Sequence, residues 1–461
     1  MTTTLGKTVA IIGAGPVGLA AAAHALERGF TPIVLEQGRA AGHAVRQWPH
    51  VRMFSPWRYN VDGACARLLR QTGWNSPDPD HHPTGGELVE HYLHPLAART
   101  EIGRHIETGA RVVAIARVGF DKVKTAGREK APFEIRYRNG RGPSSVRADA
   151  VIDASGTWSS PNPAGANGLA AAGEEEHASR IAYGMPDVHG GERARYAGKT
   201  VAVLGAGHSA IGTIVDLTRL EEAAPDTQII WVLRGEKPDK SFGGGANDQL
   251  AARGELGRVF AGIVARGGVR VETGFRLTHI TKSEGGLRMG AGSPCCGRHV
   301  FAEELIVATG FRPDLSFLRE VRSALDPTLE CPPVLAPLID PNLHSCGTVR
   351  PHGARELEQA EPGFYTAGMK SYGRAPTFLM MTGYEQVRSI AAAIAGDREA
   401  AERVELVLPE TGVCDGPKVA ADCCGGPAPT DQSSCCKADE DAKARGRAGC
   451  GCTGTELALT R

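Results

Sequence analysis

The sequence predicts an α/β fold built from two Rossmann-like dinucleotide-binding domains, the second inserted into the first, followed by a disordered cysteine-rich C-terminal tail. Three observations carry this. A β-branched run, a glycine turn, an alanine-rich helix and a second β-branched run occur in that order from Lys7, and the same grammar returns at Thr200. Further strand-like runs follow the second unit. Beyond Pro409 the composition changes abruptly. The implied division is 1–160 and 326–400 for the two parts of the outer domain, 161–325 for the inserted domain and 410–461 for the tail.

In chain order, Lys7 to Ile12 reads as a strand, Pro16 to Arg28 as a helix and Thr31 to Leu35 as the next strand. A segment rich in Trp, Pro and His (Trp48 to Pro83) precedes a predicted helix from Gly86 to Arg99 and strands at Arg111 to Arg117 and Phe133 to Arg138. The second unit is a strand at Thr200 to Leu204, a helix at His208 to Leu220 and a strand at Gln228 to Leu233. Then come a strand at Glu304 to Ala308, a proline-dense connector from Pro327 to Pro341 and a helix from about Thr377 to Ala395.

With 52 basic against 52 acidic side chains, the balance excludes a basic nucleic-acid binder. The uncharged stretch from Val9 to Leu26 imitates a signal peptide, but Gly13-Ala14-Gly15-Pro16 would break such a helix. The expected compartment is therefore the cytoplasm, where the 12 cysteines stay thiols.

Gly13-x-Gly15-x-x-Gly18 sits between a strand and a helix. Gly13 permits the tight turn, Gly15 lets the backbone approach a pyrophosphate, and Gly18 allows helix and strand to pack closely, while the helix N-terminus offers N–H dipoles to phosphate. Glu36, ending the next strand, can accept hydrogen bonds from ribose hydroxyls. The second copy reads Gly205-Ala206-Gly207-His208-Ser209-Ala210, with alanine in the third glycine's place. Its second strand runs into Arg234 rather than an acid, which favours NADPH, because a guanidinium pairs with a ribose 2′-phosphate that a carboxylate would repel. The bland alternative is a solvated Arg234, with Glu236 holding the ribose.

Two nucleotide units in one chain suggest that one holds a flavin and the other delivers hydride to it. Asp153-Ala154-Ser155-Gly156 and Ala308-Thr309-Gly310 each end a strand in small residues, as chain crossings passing close to a dinucleotide do. Gly363 to Gly368 is an aromatic strand ending in glycine ahead of the last helix, whose N-terminus would stabilise negative charge on a reduced flavin.

This order of motifs resembles the flavin-containing (class B) monooxygenases over about residues 7 to 395. Trp48-Pro49 to Phe54-Ser55, Pro83 to Leu93, and Ala375-Pro376-Thr377-Phe378 through Gln386 are similar to the flavin monooxygenases of bacterial arsenic-resistance operons, as is the Cys-rich tail. The resemblance implies FAD on the first unit, with contacts from Gly13, Gly15, Pro16, Gly18, Glu36, Gln37, Trp48, Ser55, Val113, Ser155, Gly156, Gly368, Thr377 and Phe378. It implies NADPH on the second, with Gly205, Gly207, His208, Ser209, Ala210, Arg234, Thr309 and Gly310. It also implies a C4a-hydroperoxyflavin that passes one oxygen to a soft nucleophilic atom. Two departures stand out. The family's Phe-x-Gly-x-x-x-His signature is degenerate at Tyr183-Gly184 to His189, and the third flavin segment ends Gly368-Met369 where many flavoproteins have Gly-Asp.

Oxygen transfer from such a species needs a dry pocket and hydrogen-bond donors rather than a protein nucleophile; Arg52, Trp57, Lys370, Tyr372 and Arg374 are the candidate catalytic residues. Seven cysteines of the 12 fall in the tail: Cys414, Cys423, Cys424, Cys435, Cys436, Cys450 and Cys452. Close thiolates suit soft cations, so trivalent arsenic, zinc and an incidental tail are the three readings. Cys295-Cys296, in a hairpin context, reads as structural. The expected function is an NADPH-dependent FAD monooxygenase in arsenic resistance; the alternatives are a disulfide or metal reductase and a metalloid-binding flavoprotein without turnover.

Overall fold

The computed structural model describes residues 7–238, 250–293, 296–342, 349–376, 378–406 and 444–445. Two five-stranded parallel sheets organise them. In the first, β1 (Thr8–Ile12) lies between β2 (Thr31–Glu36) and β7 (Ala150–Asp153), with β3 (Ile106–Thr108) beyond β2 and β16 (Phe364–Thr366) beyond β7. Each neighbouring pair is parallel. The inner strands are near-continuous Val, Ile and Ala runs because both faces are covered. Helix α1 (Pro16–Glu27) carries proline at its first position, where the absent N–H costs nothing. Its small side chains let it sink between neighbours, so Ala20 to Ala23 are buried.

The second sheet repeats the plan. β9 (Thr200–Leu204) pairs with β10 (Gln228–Val232) and β15 (Glu304–Val307), flanked by β11 (Arg270–Glu272) and β8 (Ile181–Tyr183). Two antiparallel three-stranded sheets complete the architecture: β4 (Arg111–Arg117), β5 (Phe133–Asn139) and β6 (Gly142–Ala148) beside the first parallel sheet, and β12 (Leu277–Ser283), β13 (Gly286–Ala291) and β14 (Arg298–Ala302) beside the second. The chain leaves the first sheet after β7 and the second after β15. These two crossings lie side by side: Pro161 and Phe311 form an antiparallel bridge, and Asn162 N donates to Gly310 O at 2.9 Å.

Two predicted elements differ. The helix expected over 86–99 starts one residue earlier, where Thr84 and Glu87 form a reciprocal N-terminal capping box on α2 (Gly85–Leu88). It then widens into a π-turn at Val89–Leu93 before resuming at His94–Arg99. Pro95 explains this: it has no N–H for the carbonyl of His91, which instead accepts from Trp74 Nε1 at 2.7 Å. The last long helix starts at Met380, later than expected, and runs to Ala395. Cys296 is exposed in the β13–β14 connection, and Cys295 and the seven tail cysteines lie outside the described residues.

Candidate functional site

The two glycine turns obey the same geometry. Gly13 has φ +99°, and a Cβ there would sit 2.9 Å from Ala154 O on the first crossing; Gly205 has φ +146°, and a Cβ would meet Ala308 O on the second at 2.3 Å. Each turn is thus pressed against the crossing that follows its own sheet. A Cβ on Gly18 would be 2.0 Å from Gly13 O, so this position sets how closely α1 approaches its strand. Ala210, in the corresponding place of the second unit, is fully buried. Gly15 and Gly207, by contrast, face open space with nothing within 4 Å of an added Cβ.

Both are N-cap residues without a side-chain cap, of α1 and of α3 (His208–Ala223). The first turns of both helices therefore keep N–H groups available to an anion, and the residues present fit a dinucleotide at each turn. Glu36 is buried; its Oε2 accepts from Ala14 N at 2.8 Å and its Oε1 from Gly38 N at 2.7 Å. It therefore braces the first turn, while each oxygen keeps acceptor capacity.

Both turns open on one cleft of about 1370 Å³. Among the sequence-predicted residues its lining includes Gly13, Gly15, Pro16, Glu36 and Gln37 from the first unit, Ser155 and Gly156 from the first crossing, His208 and Ser209 from the second unit, and Gly368 and Phe378 from the return. The Trp48-to-Ser55 segment supplies Trp48, Arg52 and Ser55. Phe54 meets the His208 ring edge-on at 5.5 Å, so this segment touches the second glycine turn directly.

Other expected residues stand back. Val113 is exposed, although Val112 lines the cleft. Thr309 and Gly310 are engaged with Asn162. Arg234, exposed at the surface, donates to Ala166 O at 3.2 Å. Thr377 lies outside the described residues.

Of the five catalytic candidates, only Arg52 lines the cleft, with its guanidinium held by His82 O. Trp57 is buried in the core of the first unit. Tyr372 packs beneath Phe378 at 5.1 Å, and burial pushes its phenol pKa up. Arg374 pairs with Glu330 at 2.9 Å. Lys370 is buried beneath the cleft floor, 2.6 Å from Asp153 Oδ2, and donates to Ser155 Oγ at 3.1 Å. It can act on the cleft through Ser155.

Sequence reasoning missed an aromatic stack. Trp158 lies on Phe311 with centroids 4.7 Å apart and donates from Nε1 to Gln47 Oε1 at 2.9 Å; all three line the cleft. A signal was present, since each aromatic follows the terminal glycine of a crossing, Trp158 two residues after Gly156 and Phe311 directly after Gly310. Asp216 was also missed; burial raises its carboxyl pKa, against the lowering influence of Arg219 and nearby histidines.

The family model described as pyridine nucleotide-disulphide oxidoreductase matches residues 10–334. A curated relative, flavin-containing monooxygenase FMO GS-OX-like 2 of Arabidopsis thaliana, is 25% identical over 239 residues, 47% of this chain and 48% of that protein. The chain therefore spans about half the length of that relative. Among solved structures, bacillithiol disulfide reductase from Bacillus cereus is 19% identical with TM-score 0.61, covering 85% of this chain and 99% of that one. The FAD-bound cadaverine monooxygenase DfoA from Erwinia amylovora is 14% identical with TM-score 0.60, covering 87% and 97%. A reductase and an oxygenase thus share this fold, and at these identities the likeness is one of fold alone.

Proposed function

The chain belongs to the pyridine nucleotide-disulphide oxidoreductase family, a flavin-dependent oxidoreductase working with FAD and NADPH, and from that premise we propose that it is a monooxygenase of small, soft-nucleophile substrates. The single observation carrying this reading is that both glycine turns and the Trp48–Ser55 segment open on one roomy cleft whose walls include Trp48, Met53, Phe54, Trp158, Phe311 and Met369. Bound FAD would supply the hydride acceptor and the site of oxygen activation. The chain's own part is to hold two dinucleotides at uncapped helix N-termini and to keep bulk water from the space between them with aromatic walls.

The overall change balances as NADPH, O2, H⁺ and substrate giving NADP⁺, water and the oxygenated substrate. A disulfide reductase would instead need a thiol pair at the cleft. Among the described residues Cys65 and Cys331 are buried in the core and Cys296 is exposed on a hairpin.

The proposed substrate is a trivalent arsenical, a reading supported by the resemblance of the Trp48–Ser55 and Ala375–Gln386 segments and of the tail thiols to the arsenic-resistance enzymes. The test is NADPH oxidation and oxygen uptake with and without a trivalent arsenical, using ¹⁸O₂ to follow the label. Label in a pentavalent product supports the proposal. Anaerobic NADPH oxidation driven by a disulfide or metal would replace it with the reductase, and absence of any turnover would leave a metalloid-binding flavoprotein.

A further inference from the structure

His50 lines the cleft, yet both its ring nitrogens are shielded from solvent and neither has a hydrogen-bond partner among the described residues. A buried polar atom without a partner is destabilising, so a side chain kept in this state is poised to gain from a partner that the described residues do not provide.

Its position is not an accident of a loose loop. Gly86 N donates to Pro49 O and Gly85 N to Val51 O, both at 2.9 Å, so the carbonyls on either side of His50 are fastened to the start of α2. The absence of a Cβ at Gly85 lets the Trp48 ring pack where that atom would stand, 2.5 Å away. The backbone presenting the imidazole is fixed.

The second unit supplies the other half. Gly212, Val215, Asp216 and Arg219 line the same cleft, a spacing of three, four and seven that places them on one face of α3. Asp216 is the acid on that face. Burial pushes its carboxyl pKa up, against the lowering influence of Arg219, His189 and His50. Its ion pair with Arg219 is long, 3.4 Å, to a guanidinium that is 63% exposed, which leaves the carboxyl available to another partner. Met185, Val215, Leu256 and Val259 give the neighbouring wall its apolar character.

We propose that His50 and Asp216 form a substrate-recognition site between the Trp48–Ser55 segment and α3, taking a small uncharged molecule that carries a hydroxyl next to an apolar or soft atom. An imidazole nitrogen and a carboxyl can donate to and accept from a hydroxyl, while Met185 and the aliphatic side chains take the apolar part. The carboxyl of Asp216 and the guanidinium of Arg219 offset one another, so the site has no strong sign with which to select an ion. The inference rests on the oxygenase reading for the substrate's later fate, but not for its binding.

The test is therefore binding to the FAD holoenzyme without NADPH, followed by perturbation of the flavin absorbance. The probes are 2-(methylthio)ethanol and ethyl methyl sulfide, which share a soft sulfur and differ in the hydroxyl. The wild type should prefer the alcohol, and His50→Phe and Asp216→Leu should each cut that preference about tenfold, the scale of one hydrogen bond, with His50→Gln retaining part of it. Thermal denaturation of each holoenzyme variant separates lost recognition from lost folding. An unchanged preference in the variants, or a wild type that binds neither probe, would overturn the site. If preference moves as expected but NADPH and O2, added in a second step, oxygenate neither the probes nor a trivalent arsenical, the recognition site stands and the oxygenase reading falls.

Discussion

At the scale of single residues, the glycines divide into those the fold needs and those a ligand needs. Gly18 faces Gly13 O at a distance no Cβ tolerates, whereas Gly15 faces open space. Gly18→Val should therefore fail to fold, and Gly15→Val should fold but purify colourless, because its branched side chain fills the room for pyrophosphate; flavin content together with circular dichroism checks both.

Lys370 is equally divisible. Asp153 and Lys370 are both fully buried, so Lys370→Met leaves an uncompensated carboxylate and should cost about 3–5 kcal/mol in urea unfolding. Adding Asp153→Asn should restore much of that. Full stability in the single variant would show that the pair contributes nothing. Among the described residues Arg234 hydrogen-bonds through Nη1 to the carbonyl of Ala166, so Arg234→Ala should leave the fold intact. It should raise the KM for NADPH about tenfold while sparing that for NADH, as loss of one charge-assisted contact predicts; equal loss for both cofactors would move the 2′-phosphate elsewhere.

At the scale of elements, the β4–β6 sheet is tied to the strand that returns to the first sheet by one buried carboxylate. Glu361 lies between Arg117 Nε at 2.9 Å and Arg128 Nη2 at 2.7 Å, with all three side chains almost fully buried. Burial alone would raise its pKa, but the bonds from Arg128 and Arg117 outweigh it and hold the carboxyl below the ordinary glutamate value. The sign follows: the unfolded chain takes up this proton first as pH falls, so the contribution is complete above about pH 6 and is lost from the ordinary value of ~4.3 down through the folded pKa. Glu361→Gln should lower stability at neutral pH and flatten its decline in acid, measured by urea unfolding at a series of pH values; an unaltered slope would place the acid sensitivity elsewhere.

None of this tie was legible in the sequence, because its partners lie more than 200 residues apart along the chain. The parallel strands and glycine turns were legible, since their periodicity and turn chemistry are local. The π-turn at Val89–Leu93 was not, because its cause joins Pro95 to an indole donated by Trp74 from outside the helix. The cleft follows the same division. Gly15, Glu36 and Ser209 could be read from spacing, whereas Trp158, Phe311, His50 and Asp216 become neighbours only when two crossings and two domains are assembled.

At the scale of the whole molecule, the parallel sheets, both crossings and the cleft are built from residues between Lys7 and Glu402, and Cys414 to Cys452 follow in sequence. The catalytic body should thus be separable from the thiols. A chain ending at Pro409 should keep its FAD and its rate of reduction by NADPH, since no residue placed at either glycine turn lies beyond that point. If the tail thiols capture a soft metalloid and raise its concentration near the cleft, the truncation should lower arsenic bound per chain under reducing conditions and slow turnover at low arsenical. It should have little effect at saturation, where a local excess no longer matters. Comparing both chains across a range of arsenical concentrations separates the outcomes. Superimposable curves with equal arsenic bound would make the thiols incidental to catalysis, loss of FAD on truncation would make the tail part of the fold, and a drop confined to low concentration would assign it the delivery of substrate.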